Sequence, residues 1–306
     1  MKSRSPGLVL ALALLGISFA GPLVRLSTAD PLVIAVWRLG FSLLVVAGFL
    51  VTTGEWRQWR ALSGRDAAFA AAAGVALALH FWAWNASIHM TTIAASVTLV
   101  NLQPAVIVAI SAAFLHETPT RSQLTGIGLA IVGAVVIALP GLRASGVTAA
   151  GHATLGDLLA ASAAVTAAIY YTIGRHLRTS YGLWAYVGLA YSACFVTLLV
   201  LAAASRVALV PQPPREIGIF VALALGPMLL GHTGMNWALK FLPAYVVNLT
   251  VLGEPIGATL LGAILPGIRQ IPPAITIVGA GIVLIGVLIV ARGTVAERAK
   301  TGLSPN

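Results

Sequence analysis

Residues Gly126–Val136 read GIGLAIVGAVV and residues Gly279–Ile289 read GAGIVLIGVLI, so that Gly126, Gly128 and Gly133 return as Gly279, Gly281 and Gly286 at a shift of 153. Upstream, Asn85 and Pro104 return as Asn236 and Pro255 at a shift of 151, and the residue ahead of each proline corresponds as well, Gln103 to Glu254. Glycine spacing alone is weak evidence, because small residues recur wherever apolar helices approach closely. Two patterns in the same order at nearly one shift mark an internal repeat.

The repeated stretches lie in a chain of 306 residues, 59% hydrophobic and 8% charged, where soluble domains carry about a quarter charged residues. A soluble fold cannot hide that much apolar surface, whereas lipid accepts it on the outward faces of helices. A span needs about 20 mostly apolar residues to cross some 30 Å of hydrocarbon. Ten stretches qualify: Gly7 to Ser27, Pro31 to Thr52, Asp66 to Ile88, Thr92 to Leu115, Gln123 to Leu139, Leu155 to Gly174, Gly182 to Ala204, Ile217 to Leu239, Ala244 to Leu265 and Pro272 to Ala291. Lys2 and Arg4 ahead of the first stretch imitate a signal peptide, but nine further apolar runs make it a first span. The separators, such as Glu55 to Arg65, Pro119 to Arg121 and Pro211 to Glu216, are short and carry charges, prolines or glycines. They leave no room for a soluble catalytic or ligand-binding domain.

The expected fold is therefore an all-α integral membrane protein of ten transmembrane helices. Residues 1–140 form the first repeat, 141–154 a linker, 155–292 the second repeat and 293–306 a tail. Five spans per repeat is an odd number, so the second copy enters the membrane upside down relative to the first. Inverted copies can exchange conformations around a site near the midplane, which is the basis of alternating access. With the N-terminus inside, twelve Lys and Arg fall on cytoplasmic segments, among them Arg57, Arg60, Arg65, Arg121 and Lys240, against Arg25, Arg143, Arg206, Arg215 and Arg269 outside. The bias puts both termini in the cytoplasm of a bacterial-type inner membrane. The net charge of +10 is spread in ones and twos, which argues against nucleic acid. Cys194 is the only cysteine, so neither a disulfide within the chain nor a thiolate cluster exists. HExxH, a nucleophile GxSxG and an ATP-binding loop are all missing, so no enzyme, cofactor, metal or ATP-driven pump is expected.

Chemistry must then come from polar side chains inside the spans, each costly unless it faces protein or water. The third span carries His80, Trp82, Trp84, Asn85 and Ser87, with His80, Trp84 and Ser87 on one face. The eighth carries His232, Asn236 and Trp237. The fourth offers Ser96, Asn101 and Gln103, the ninth Tyr245, Asn248, Thr250 and Glu254, and the sixth Ser162, Thr166 and Tyr170 on one face, beside Tyr171. His80, Trp84, Asn85, Ser96, Asn101, Gln103, Tyr170, His232, Asn236, Trp237 and Asn248 are the candidate cavity residues. Interfacial belts for the tryptophans and interhelical hydrogen bonds for the rest are the competing readings. Pro104 and Pro255 each free a carbonyl one turn back, near Val100 and Val251, and are candidate hinges. Glu254 is a candidate proton-coupling group, because a carboxylate at that depth must be protonated, paired or wet. Arg38, two turns into the second span, either meets a substrate carboxylate or snorkels to the headgroups; snorkelling or structural pairing is the favoured expectation.

The stretch Leu102 to Ala138, with Pro104, His116, Glu117, Gln123, Gly126 and Gly133, resembles the repeat of the drug/metabolite transporter superfamily in its ten-helix EamA-type branch. Glu254, Pro255, Gly279 and Gly286 resemble its second copy. Glu117 lacks a counterpart near Pro266 and Gly267, a departure that argues against symmetric pairing of those helix ends. The resemblance implies a secondary transporter, working as monomer or homodimer, whose relatives export amino acids, carry nucleotide sugars or extrude cationic drugs. Sparse fixed charge beside hydrogen-bonding and aromatic groups fits a small zwitterion, so amino-acid export, with protons as the candidate coupling partner, is the leading expectation. Efflux of hydrophobic cations and carriage of other metabolites are the alternatives.

Overall fold

A computed structural model describes residues 6–91, 93–115, 119–144, 150–265 and 274–300, and they are helical almost throughout. The first copy comprises α1 (Pro6–Ser18), α2 (Ala20–Leu26), α3 (Pro31–Thr53), a 3-10 turn Glu55–Ala61, α4 (Gly64–Met90), α5 (Ile93–Val100), α6 (Gln103–Phe114) and α7 (Arg121–Ala144). The second comprises α8 (Ala150–Arg178), α9 (Leu183–Ala204), α10 (Pro214–Leu223), a π-helical segment Ala224–Thr233, α11 (Gly234–Ala238), α12 (Ala244–Leu249), a 3-10 turn Thr250–Gly253, α13 (Glu254–Ile264) and α14 (Ala274–Lys300). Among the described residues seven helical runs are long and apolar enough to cross a membrane, and shorter apolar helices accompany them. Leu44, Val200 and Ile277 are 71%, 61% and 65% exposed on the outside of the bundle, which lipid tolerates and water would not.

Local chemistry sets the ends. Asp30 accepts the Leu32 N–H at 2.8 Å and Pro31 opens α3, while Gly54, at φ 71°, closes it in the left-handed region. Ser63 caps α4 through the Asp66 N–H. The helices overrun several expected ends: α4 starts at Gly64, α7 reaches Ala144 and α8 starts at Ala150, so both ends of the expected 141–154 linker are helical. Backbone hydrogen bonding continues past the last apolar residue, which is all that hydropathy registers. His116, Glu117, Pro266, Gly267 and Arg269 lie outside the described residues.

Two helix pairs organise the bundle. The segment after α3 caps the start of α9: Glu55 accepts the Ala185 N–H (3.0 Å), Gln58 the Gly182 N–H (2.8 Å), and Trp59 donates to the Ala185 carbonyl (3.0 Å). Reciprocally, the segment after α9 meets the start of α3, where Trp37 donates to the Leu209 carbonyl (2.9 Å). These helices therefore run antiparallel. The same holds for α7 and α14, the most extensively packed pair among the described residues. A Cβ on Gly126 would come within 2.7 Å of the Gly286 carbonyl, and one on Gly133 within 2.8 Å of the Gly279 carbonyl. The repeat glycines thus face one another within a single chain. Gly128 and Gly281 face open space.

Other contacts come in related pairs: α4 packs on α8 as the π-helical segment packs on α1, and α6 packs on α8 as α13 packs on α1. Gly126→Val or Gly286→Val should lower stability by about 1–3 kcal/mol through overpacking, whereas Gly128→Ala and Gly281→Ala should change it little. Thermal unfolding of the detergent-purified protein measures the contrast.

Candidate functional site

The breaks in four of the helical runs meet around one small cavity of about 30 Å³. Its wall takes Ile17 and Ala20 from either side of the α1–α2 break, Arg38 from α3, and His80, Phe81 and Trp84 from α4. Val100 and Gln103 flank the α5–α6 turn, Val251 and Glu254 the α12–α13 turn, and Tyr171 and His232 complete it. Val100 with Val251 and Gln103 with Glu254 are repeat-related positions, 151 residues apart. The volume suits one or two waters. Anything larger enters only if the walls part.

Pro104 and Pro255 occupy the first turn of α6 and α13. There a missing N–H costs nothing, so the break lies before each proline, in the Asn101–Leu102 turn and the Thr250–Gly253 turn. The expected mid-helix kinks are instead helix restarts. They leave the ends of α5 and α12 beside the cavity.

The π-helical segment has a count-based origin. α4 starts at Gly64 and α10 at Pro214, each with an acid two residues on, at a shift of 150; Asn85 and Asn236 stand at 151. The second copy holds one residue more between these points, and a π turn is how a helix absorbs one extra residue. His232 lies in that segment, with its ring centroid 6.1 Å from that of His80 and 5.3 Å from that of Phe81. His80 Nδ1 sits 2.9 Å from the Ala163 carbonyl. A carbonyl only accepts, so Nδ1 carries a proton there and Nε2 turns elsewhere. Tyr171 OH shares a hydrogen bond with His232 Nδ1 (2.9 Å), and the Trp84 indole N–H is buried without a partner among the described residues.

Several candidates are buried beside the cavity without lining it. Asn85 donates to the Pro31 carbonyl (3.1 Å), Ser96 pairs with Ser87 (2.5 Å), Asn236 donates to Tyr170 OH (2.5 Å) and to the His232 carbonyl (2.7 Å), and Asn248 donates to the Ala244 carbonyl (3.0 Å). Asn101 is fully buried in its turn with no side-chain partner among the described residues. Trp237 packs on Phe241 instead, 4.6 Å between ring centroids. Ser162 and Thr166 bond to carbonyls of their own helix, and Ser162 is exposed, so only the tyrosines of the expected sixth-span face turn inward.

Arg38 corrects the snorkelling expectation. It is 1% exposed, lines the cavity, and lies with its guanidinium carbon 4.1 Å from the Phe81 ring centroid. Phe81 escapes sequence reasoning, which sets Tyr171 beside the expected face and not on the cavity wall, since an aromatic in an apolar run carries no signal of which way it faces.

Fold and cavity together define an all-helical, multi-pass integral membrane protein built from two copies of one unit around a small cavity of mixed polar and apolar lining. The chain belongs to the EamA-like transporter family, within the drug/metabolite transporter superfamily: the family profile matches residues 6–139 and again residues 154–292. It is a family of transporters, not enzymes, so a small-molecule substrate and a lipid bilayer are its partners. The chain is 26% identical to an uncharacterized transporter of Archaeoglobus fulgidus over 293 residues, covering 93% of this chain and 97% of that protein. It is 28% identical to a probable terminal-alkyne amino-acid exporter of Streptantibioticus cattleyicolor over 208 residues, 65% of this chain and 64% of the relative. A crystal structure of a protein 16% identical superposes with a TM-score of 0.73 over 94% of this chain and 97% of the other.

Tyr171→Phe removes the hydroxyl that holds His232 and leaves the buried His232 Nδ1 without that partner, which should cost about 1–3 kcal/mol of stability. Solute flux of the folded protein should fall severalfold. Parallel measurements of melting and liposome flux test this, and unchanged flux would remove His232 orientation from the account.

Proposed function

We propose that this transporter exports small zwitterionic metabolites, amino acids foremost, across a bacterial-type inner membrane by alternating access. Ten spans in two inverted five-helix copies carry the motion, and both termini lie in the cytoplasm. The observation that supports it most is the convergence of repeat-related positions, Val100 with Val251 and Gln103 with Glu254, on one buried cavity. The antiparallel α3–α9 and α7–α14 pairs support the inversion. The amino-acid exporter among the relatives supports the substrate class.

In this reading His80, Trp84, Gln103 and His232 contact the solute. Asn85, Ser96, Asn101, Tyr170, Asn236 and Asn248 hold the broken helices in register, and Trp237 buttresses them from outside the cavity. The turns before Pro104 and Pro255 flex. Glu254 exchanges a proton between states.

The two ends of the bundle carry separate latches that such a cycle must break in turn. At one end Glu216 accepts from Ser27 Oγ (2.5 Å) and from the N–H and hydroxyl of Thr28 (both 3.2 Å). At the other end Glu55 and Gln58 hold the start of α9.

Purified protein in liposomes should show saturable counterflow of labelled amino acids. Flux of a cationic dye or a nucleotide sugar with none for any amino acid overturns the substrate assignment. Alternating access has its own test in Ala20→Cys placed in a Cys194→Ala background. Glu216→Ala should increase labelling of that thiol from the outer side, and Glu55→Ala with Gln58→Ala from the cytoplasmic side. Both changes acting on the same side would contradict the mechanism.

A further inference from the structure

The cavity is built from pairs, and its charges are not. Arg38 stands in α3, and the residues 150 to 152 positions on in α9 are Gly188, Leu189 and Ala190, none of them charged. Glu254 conversely stands where the first copy has Gln103. The basic group therefore comes from the first copy and the acidic group from the second. No ion pair within 4 Å joins the two side chains among the described residues. Nε, Nη1 and Nη2 of Arg38 are all buried, and none has a hydrogen-bond partner among the described residues.

A buried guanidinium with five idle donors is expensive, and evolution of a fold does not require one at this place. The guanidinium carbon lies over the Phe81 ring, 4.1 Å from its centroid, so an aromatic face takes one side of the group. Its N–H donors, unused among the described residues, match a planar two-oxygen acceptor. His80 and His232 flank the same space and offer hydrogen bonds without filling it.

We propose that Arg38 is the carboxylate anchor of the cavity, so that a solute must present a free carboxylate to the first copy and its ammonium end toward Glu254 of the second. The inference rests on the amino-acid reading above and sharpens it: the α-carboxylate is recognised, and the side chain points along the apolar wall of Ile17, Val100 and Val251. Hydrophobic cations are disfavoured because they would meet Arg38 unscreened. A phosphate monoester offers the same acceptor chemistry, and Glu254 opposes its second negative charge.

The test is competition in liposomes holding the full-length protein, with labelled leucine and phenylalanine as first probes. Competitors are the unlabelled amino acid, its carboxamide, its decarboxylated amine and a phosphate monoester of similar size. In the wild type the amino acid should compete at least about tenfold better than the amide or the amine. In Arg38→Gln that preference should fall below about twofold, and in Arg38→Lys it should lie between. Arg38→Lys also decides the matter if the glutamine variant does not fold, since an unchanged preference there overturns the anchor. So does a wild type that transports amino acid and amide equally, or one in which the phosphate monoester competes best. Absence of any amino-acid flux in the wild type instead overturns the functional reading on which the anchor rests. The two failures are therefore distinguishable.

Discussion

A backbone polar group in hydrocarbon has no water to turn to, and every interruption of a helix in this bundle must be reconciled with that constraint. The breaks at Phe19, at Asn101–Leu102, across Ala224–Thr233 and at Thr250–Gly253 all lie on helices that surround the cavity. Irregular backbone is tolerable there because protein, or a wet centre, replaces lipid as its neighbour. Runs that show no interruption, such as α3 and α9, brace the site from behind. Arg38 alone among α3 side chains reaches the cavity.

The glycines make the complementary point. Without a hydrophobic drive between helices already in lipid, close packing has to supply the attraction. α7 and α14 achieve it by placing Gly126 and Gly133 against Gly286 and Gly279. The backbones then touch, and a branched side chain at these sites has nowhere to go. Among the described residues neither helix supplies a side chain to the cavity wall, though both touch the Thr250–Gly253 turn beside it. Close-packed and interrupted helices thus belong to different spans of the same repeat.

Much of this was legible in the residues. Apolar runs of span length, the 151 and 153 shifts and the in-membrane His80, His232, Gln103 and Glu254 are one-dimensional signals, and they point to the helices and to part of the cavity wall. What the chain hides is rotation. Ser162 and Thr166 share a helical face with Tyr170, yet each satisfies its hydroxyl on its own helix and turns away. The amides show a related limit: Asn85, Asn236 and Asn248 look like solute ligands, but in each the side-chain N–H donates to a backbone carbonyl, a bond the sequence does not reveal. The π turn was readable only from a one-residue change in the repeat shift, between Asp66 with Glu216 and Asn85 with Asn236.

That one residue bears on how a symmetric scaffold handles an asymmetric solute. Two identical copies facing each other would present the same groups from both sides, and a molecule with distinct ends would have no preferred orientation. Here the second copy departs from the first in three ways near the centre: an acid replaces Gln103, neutral side chains replace Arg38, and a π turn carries His232 to the His80 ring. A shared scaffold is what exchange of conformations between inverted copies would require, and unlike side chains at its centre are what binding a polar solute in one orientation would require.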